Sequence, residues 1–192
     1  MQKNPVFNVY CGPMFSSKTS RLLMDLERYK YQRERVAVFK PTMDTRYSVA
    51  EIMTHGGWRH SAVCVQEGAD ILHFLANASE DPHVIAVDEA FMIPGIAEVL
   101  VFLYQSGFNV IVSTLDMASN GKPFPEISQM LPWATRIEKC TAVCTVCGDD
   151  APFTHKKTLG GDEFVVEVGG DELYEPRCAT HFPTVFNLKL KK

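Results

Sequence analysis

At 192 residues the chain is long enough for one ordinary domain with a small appendage. A hydrophobic fraction of 46% beside 22% charged residues fits a globular protein with a full core, and no apolar run approaches the ~18–20 residues of a membrane span. The formal net charge of −4 argues against a broad nucleic-acid surface, and the closing Lys189, Lys191 and Lys192 read as a solvated tail.

The opening Met1-Gln2-Lys3-Asn4-Pro5 lacks the apolar region of a signal peptide, so cytoplasmic residence is expected. Val6 to Cys11 reads as a strand, followed by a loop and a helix in which Leu22, Leu23, Leu26 and Tyr29 recur at helical spacing. Val36-Ala37-Val38-Phe39 is a short apolar strand of the buried parallel kind. Residues 41–60 are polar and are expected to be irregular. Ser61 to Val65 reads as a strand and Ala69 to Ala78 as a helix. Val84-Ile85-Ala86-Val87 is an apolar strand ending in Asp88-Glu89. A helix over Ile96–Gln105 and a strand over Asn109–Thr114 follow. Strands alternating with helices predict an α/β fold, with a mostly parallel sheet covered on both faces. Past Lys139 the alternation gives way to glycines, charges and cysteines. The expected domains are therefore 1–140 and 141–192.

Gly12-Pro13-Met14-Phe15-Ser16-Ser17-Lys18-Thr19 lies between the first strand and the first helix, the layout of a P-loop phosphate cradle. In such a loop backbone N–H groups face phosphate oxygens, the lysine neutralises them and the threonine hydroxyl helps hold Mg²⁺. Ser17 stands where glycine is usual. A positive φ there would cost roughly 1–2 kcal/mol, which bound phosphate could offset.

Asp88-Glu89 matches the second acidic signature of P-loop enzymes, in which the aspartate organises Mg²⁺ and the neighbouring carboxylate can take a proton from a nucleophile. Water as that nucleophile would make an ATPase, and a substrate hydroxyl a kinase. The phosphate loop, Asp88-Glu89 and Leu115-Asp116 all fall at carboxyl ends of strands, where ligands bind in open α/β sheets.

Six cysteines with no sign of secretion do not read as a disulfide framework. Cys144-Thr145-Val146-Cys147 and Cys178-Ala179-Thr180-His181 are two knuckles that suit a closed, structural tetrahedral Zn²⁺ site. Such a segment is too poor in apolar residues for its own core, and metal would supply the folding energy. Cys11 and Cys64 read as buried small hydrophobes, and the spacing of Cys140 leaves it outside the metal set. Between the knuckles run Phe153 to Gly161, Phe164 to Val168 and Gly169 to Tyr174. This stretch is either a substrate-covering loop or a plain zinc-ribbon hairpin.

Taken together these residues resemble the cellular and viral type of thymidine kinase, a P-loop core with a C-terminal zinc ribbon. The resemblance spans Gly-Pro-Met-Phe-Ser-x-Lys-Thr at 12–19, Asp-Thr-Arg-Tyr at 44–47, Val-Asp-Glu-Ala at 87–90 and Leu-Asp at 115–116. It continues through Lys-Pro-Phe at 122–124, Thr-Ala-Val-Cys-x-x-Cys at 141–147 and Gly-Gly-Asp-x-x-Tyr before Cys178. It implies transfer of the γ-phosphate of ATP to the 5′-hydroxyl of thymidine or deoxyuridine. Glu89 would be the general base, Arg46 would stabilise the transferring phosphoryl, and Asp44 would share that loop. Lys18 would hold the phosphates, and Thr19 with Asp88 would organise Mg²⁺. Met14, Leu115, Thr154 and Tyr174 would line the thymine pocket. Met92 takes the place of an aromatic near the base, Phe91 that of an amide, and Ser119 that of a further aromatic. The resemblance also implies a homotetramer and feedback inhibition by thymidine triphosphate. The competing readings are a zinc-ribbon P-loop ATPase working with nucleic acid and a catalytically silent nucleotide-binding module.

Overall fold

Short apolar strands joined by helices can hide both faces only in a parallel sheet sandwiched between helical layers. The computed structural model, which describes residues 4–44, 50–54, 56–157 and 169–183, has this arrangement. The chain runs β1 (Phe7–Cys11), α1 (Lys18–Tyr31), β2 (Val36–Pro41), β3 (Glu51–Met53), β4 (Arg59–Ser61), β5 (Val63–Val65) and α2 (Ala69–Ala76). It continues through β6 (Val84–Asp88), α3 (Ile96–Gln105), β7 (Asn109–Thr114), α4 (Pro125–Met130) and β8 (Arg136–Lys139). The six-stranded sheet has the order β5-β2-β6-β7-β1-β8, and every pairing is parallel.

Alternation along each strand sends successive side chains to opposite faces. Phe7, Val9, Phe39, Ile85, Val87, Val110 and Val112 pack with Ile71 of α2, Ile96 and Leu100 of α3, and Ile127 of α4. Tyr10, Val38, Val84, Ala86 and Ile111 face the other way, onto Leu22, Leu23 and Leu26 of α1. The helix α3 starts at a left-handed Gly95 with no cap of its own. Glu126 of α4 supplies one, its carboxylate accepting the N–H groups of Gly95 and Ala97, each at 2.9 Å.

Several features depart from the expected elements. Residues 41–60 contain the antiparallel hairpin β3–β4, which is anchored by Ile52, a member of the α1-side core at 2% exposure. The expected strand Ser61–Val65 is split. Ser61 closes that hairpin, Ala62 breaks the run, and Val63–Val65 forms the sheet edge, leaving Cys64 only half-buried. The strand β8 and helix α4 extend the core beyond the elements read from sequence. The C-terminal part holds two small antiparallel pairs, β9 (Ala142–Val143) with β10 (Asp150–Ala151) and β11 (Phe153–Lys156) with β12 (Tyr174–Arg177). Thr158–Gly161 and Phe164–Val168 of the expected loop lie outside the described residues. Among the described residues no helix is long and apolar enough to cross a membrane.

The loop between β1 and α1 begins at Gly12, whose φ is +143°. A Cβ there would lie 2.3 Å from the carbonyl oxygen of Cys140, which is backbone and cannot swing aside. The same approach is cemented by the Cys140 N–H donating to the Cys11 carbonyl at 2.7 Å. Gly12→Ala is therefore expected to lower stability by about 2–4 kcal/mol, read from urea denaturation. An unchanged midpoint would show that the approach is not tight.

Candidate functional site

The carboxyl ends of β1, β2 and β6 open onto one cavity of about 700 Å³. Its lining includes the loop and helix start from Met14 to Ser20, Lys40, Asp44, Asp88 and Glu89. The β3 wall adds Glu51, Ile52 and Met53, and Gly169 to Glu172 close another side. A parallel sheet gathers these residues because all its strands end on the same edge.

The loop is held in an unusual conformation. Phe15 and Ser17 are both left-handed, with φ of 64° and 58°. Ser17 thus adopts the glycine-like geometry expected for its place in the motif. Local bonds stabilise the curl: Ser16 Oγ and Lys18 Nζ both donate to the Pro13 carbonyl, at 2.8 and 2.6 Å. The first turn of α1 carries no acidic side chain and no side-chain cap, while Arg28 and Lys30 occupy its last turn. The positive end of the helix is left to serve an anion.

C-terminal residues brace the loop from outside. Thr154 Oγ1 accepts the Met14 N–H at 3.0 Å. Phe15 packs on the small core formed by Ala142, Cys144, Ala151 and Cys178. In the same region the ligand atoms of Cys144, Cys147, Cys178 and His181 lie within 4.8 Å of one another. The Cys147 and Cys178 sulfurs are 3.6 Å apart, and Cys178 Sγ lies 3.2 Å from His181 Nδ1. A tetrahedral zinc with ~2.3 Å bonds to sulfur would place two thiolates about 3.8 Å apart. The spacing and the donor chemistry of the cluster are therefore consistent with zinc. Cys140 is not a member of the cluster. It and Cys11 are buried thiols whose pKa values burial pushes up, that of Cys11 to about 11.

At the edge of β6 the Thr19 hydroxyl reaches both Asp88 oxygens, at 3.2 and 3.1 Å. Ser113, the register partner of Asp88 on β7, turns a buried hydroxyl toward that carboxylate without full hydrogen-bond geometry. Burial, and then the neighbouring Glu89 charge, push the Asp88 carboxyl up to about 7. Burial also pulls the Lys18 ammonium down, against the opposing pull of Glu89 and Asp88. Such a carboxylate and hydroxyl fit a divalent cation, whose charge would relieve both the desolvation and the repulsion. Glu89 itself is left-handed, at φ 51° and ψ 41°, which turns the chain out of the strand beside the cavity.

The cavity brings together Met14, Asp44, Lys18, Thr19, Asp88 and Glu89. Met92, Leu115, Thr154 and Tyr174 stand outside its lining. Leu115 follows β7, Met92 lies in the 3-10 turn Ala90–Met92, and both are buried. Thr154 is buried on β11, and Tyr174 is half-buried at the start of β12. Phe91 turns its ring onto Phe124, with centroids 4.7 Å apart. Arg46 lies outside the described residues. Lys40 and the β3 wall do not stand out in the sequence. A lysine closing an apolar buried strand was the available signal.

A carboxyl whose pKa is raised on folding favours the folded state at low pH and loses that advantage as pH climbs from its unfolded value of 3.8 through about 7. In the nucleotide-free protein, Asp88→Asn is expected to match the parent near pH 4 and to be more stable at pH 8. A tenfold difference in proton affinity between the folded and unfolded chains corresponds to about 1.4 kcal/mol, the smallest gain expected. Parallel stability curves for the two proteins would contradict this.

The thymidine kinase family model matches residues 6–182, which takes in the phosphate loop, the acidic pair and the cysteine–histidine cluster. With the fold and the edge geometry in agreement, the chain belongs to the thymidine kinase family, enzymes that phosphorylate thymidine with ATP.

Proposed function

We propose that this cavity carries out the transfer with Glu89 as general base. The 5′-hydroxyl of thymidine, or of deoxyuridine, gives its proton to the Glu89 carboxylate as its oxygen attacks the γ-phosphorus of ATP, and ADP leaves. The observation that carries this reading is the place of Glu89, on the same cavity wall as Lys18 and next to the Thr19–Asp88 pair. Phosphoryl transfer asks the protein mainly for position and charge. Lys18 and the loop N–H groups would hold the phosphates, and Thr19 and Asp88 would hold Mg²⁺, which supplies charge neutralisation when bound. Arg46 would stabilise the transferring phosphoryl, and Asp44 would bind substrate from the same substrate-side loop. Met14, Met92, Leu115, Thr154 and Tyr174, with the Gly169–Gly170 backbone, would enclose the base.

The C-terminal unit, taken as residues 141–192, would cover the nucleoside, with structural Zn²⁺ on Cys144, Cys147, Cys178 and His181. Assembly as a homotetramer and inhibition by thymidine triphosphate belong to the same reading. Six cysteines without a disulfide suit a reducing compartment, and cytoplasmic residence is part of the proposal.

Steady-state ADP release with a panel of nucleosides tests the reading. Strong stimulation by thymidine and little by DNA is expected, and the reverse pattern would make the chain an ATPase acting with nucleic acid. Glu89→Gln should leave ATP affinity largely intact while lowering turnover by at least ~10²-fold. Equal loss of binding and turnover would give Glu89 a structural or metal role. Chelation should lower the melting temperature and weaken ATP binding together, because Phe15 and Met14 rest on the metal-bearing segment. Elemental analysis showing no zinc in the purified protein would end the metal assignment.

A further inference from the structure

Lys40 has no part in the chemistry described so far, yet at 2% exposure it is more deeply buried than Lys18 at 7%. An ammonium taken out of water must be compensated by nearby oxygens. Its Nζ lies 3.6 Å from Asp44 Oδ2, itself buried, and 3.4 Å from the Glu51 carbonyl. Both contacts exceed the ~2.9 Å optimum of an N–H···O bond, so they act chiefly through charge. Three separate pieces of chain meet at this ammonium: the end of β2, the loop after it, and the first residue of β3.

The sheet fixes where that meeting point sits. Val38 pairs with Ala86 and Phe39 with Val87, and Val38 and Ala86 face α1. Alternation therefore puts Lys40 on the α1 face at the edge where β6 delivers Asp88. Lys40, Asp44, Asp88, Glu89 and Glu51 all border the same cavity. Lys18 lies near Asp88 and Glu89, and Lys40 is placed to balance the carboxylates of the β2–β3 wall.

We propose that Lys40 is a positioning residue for phosphoryl transfer: its ammonium fixes Asp44 and the start of β3 as one wall of the cavity, and offsets that wall's negative charge toward the incoming phosphates. The proposal rests on the kinase reading of the cavity. Loss of the ammonium removes the buried charge that faces Asp44 and the Glu51 carbonyl, and lets the wall shift. Misplacement of about 1 Å costs a transfer reaction on the order of 10²-fold, whereas nucleotide held by the loop at 12–19 should be little affected.

The test compares Lys40→Met, Lys40→Arg, Asp44→Asn and the double variant Lys40→Met/Asp44→Asn with the parent. It reads kcat with thymidine, ADP affinity by calorimetry, and melting temperature. Lys40→Met is expected to lower kcat at least ~30-fold with ADP affinity within about threefold of the parent. Lys40→Arg, which keeps the charge, should recover most of the loss, and the double variant should fall no further than the worse single one. Lys40→Met with kcat within about threefold of the parent would overturn the proposal. So would losses of kcat, ADP affinity and melting temperature that move together and are not rescued by arginine, since those mark a cation needed only for folding. If Lys40→Met does not fold, Lys40→Arg and Asp44→Asn decide the matter: an active arginine variant beside an impaired Asp44→Asn supports it, and any other pairing overturns it. Thymidine-independent parent activity would sink the kinase reading and this proposal together, while a normal parent with an indifferent Lys40→Met sinks this proposal alone.

Discussion

The whole edge of the sheet depends on keeping six residues of backbone, from Gly12 to Ser17, in a curl that an isolated chain would avoid. Two non-glycine residues in it are left-handed, each costing about 1–2 kcal/mol. The curl persists because it is over-determined. Pro13 offers its carbonyl to both Ser16 and Lys18, Cys140 presses its own carbonyl against Gly12, and Thr154 accepts the Met14 N–H. The left-handed geometry of Phe15 seats an aromatic ring against the cysteine-lined core. Strain of this kind survives only where its surroundings enforce it.

Charge at the same edge follows a second logic. Asp88 and Glu89 are consecutive carboxylates, one of them buried, with the Lys18 ammonium close enough to feel both. Burial works against the charged forms of both Asp88 and Lys18. A site that strains its own charges in this way gains most from a ligand that brings compensating ones, such as a polyphosphate with its divalent cation.

Much of this was readable from residues because local and global preferences agree. Val84–Asp88 is apolar until it meets the acid that ends it, so its burial and its chemistry were written in one run. The cysteine knuckles were legible from spacing alone. Strand β8 was not, since Arg136–Lys139 is a mostly exposed edge whose apolar residue, Ile137, is itself 51% exposed. The β3–β4 hairpin escaped because strands of three residues are too short to show alternation, and its anchoring depends on Ile52 meeting α1 in space. Lys40 was hidden for another reason. Composition treats a lysine as solvent-facing, and its place in an apolar strand turns it inward once β2 is paired with β6.

The approach of Cys140 to Gly12 also bears on how the protein could be divided. A fragment cut just before Cys140 would keep all six strands of the sheet but lose the brace beside its first loop. The sheet could then form while its nucleotide grip relaxed, so a truncated core would be folded yet blind to phosphate. Any modular exchange of the C-terminal segment would have to carry over the shape of this seam as well as the metal ligands.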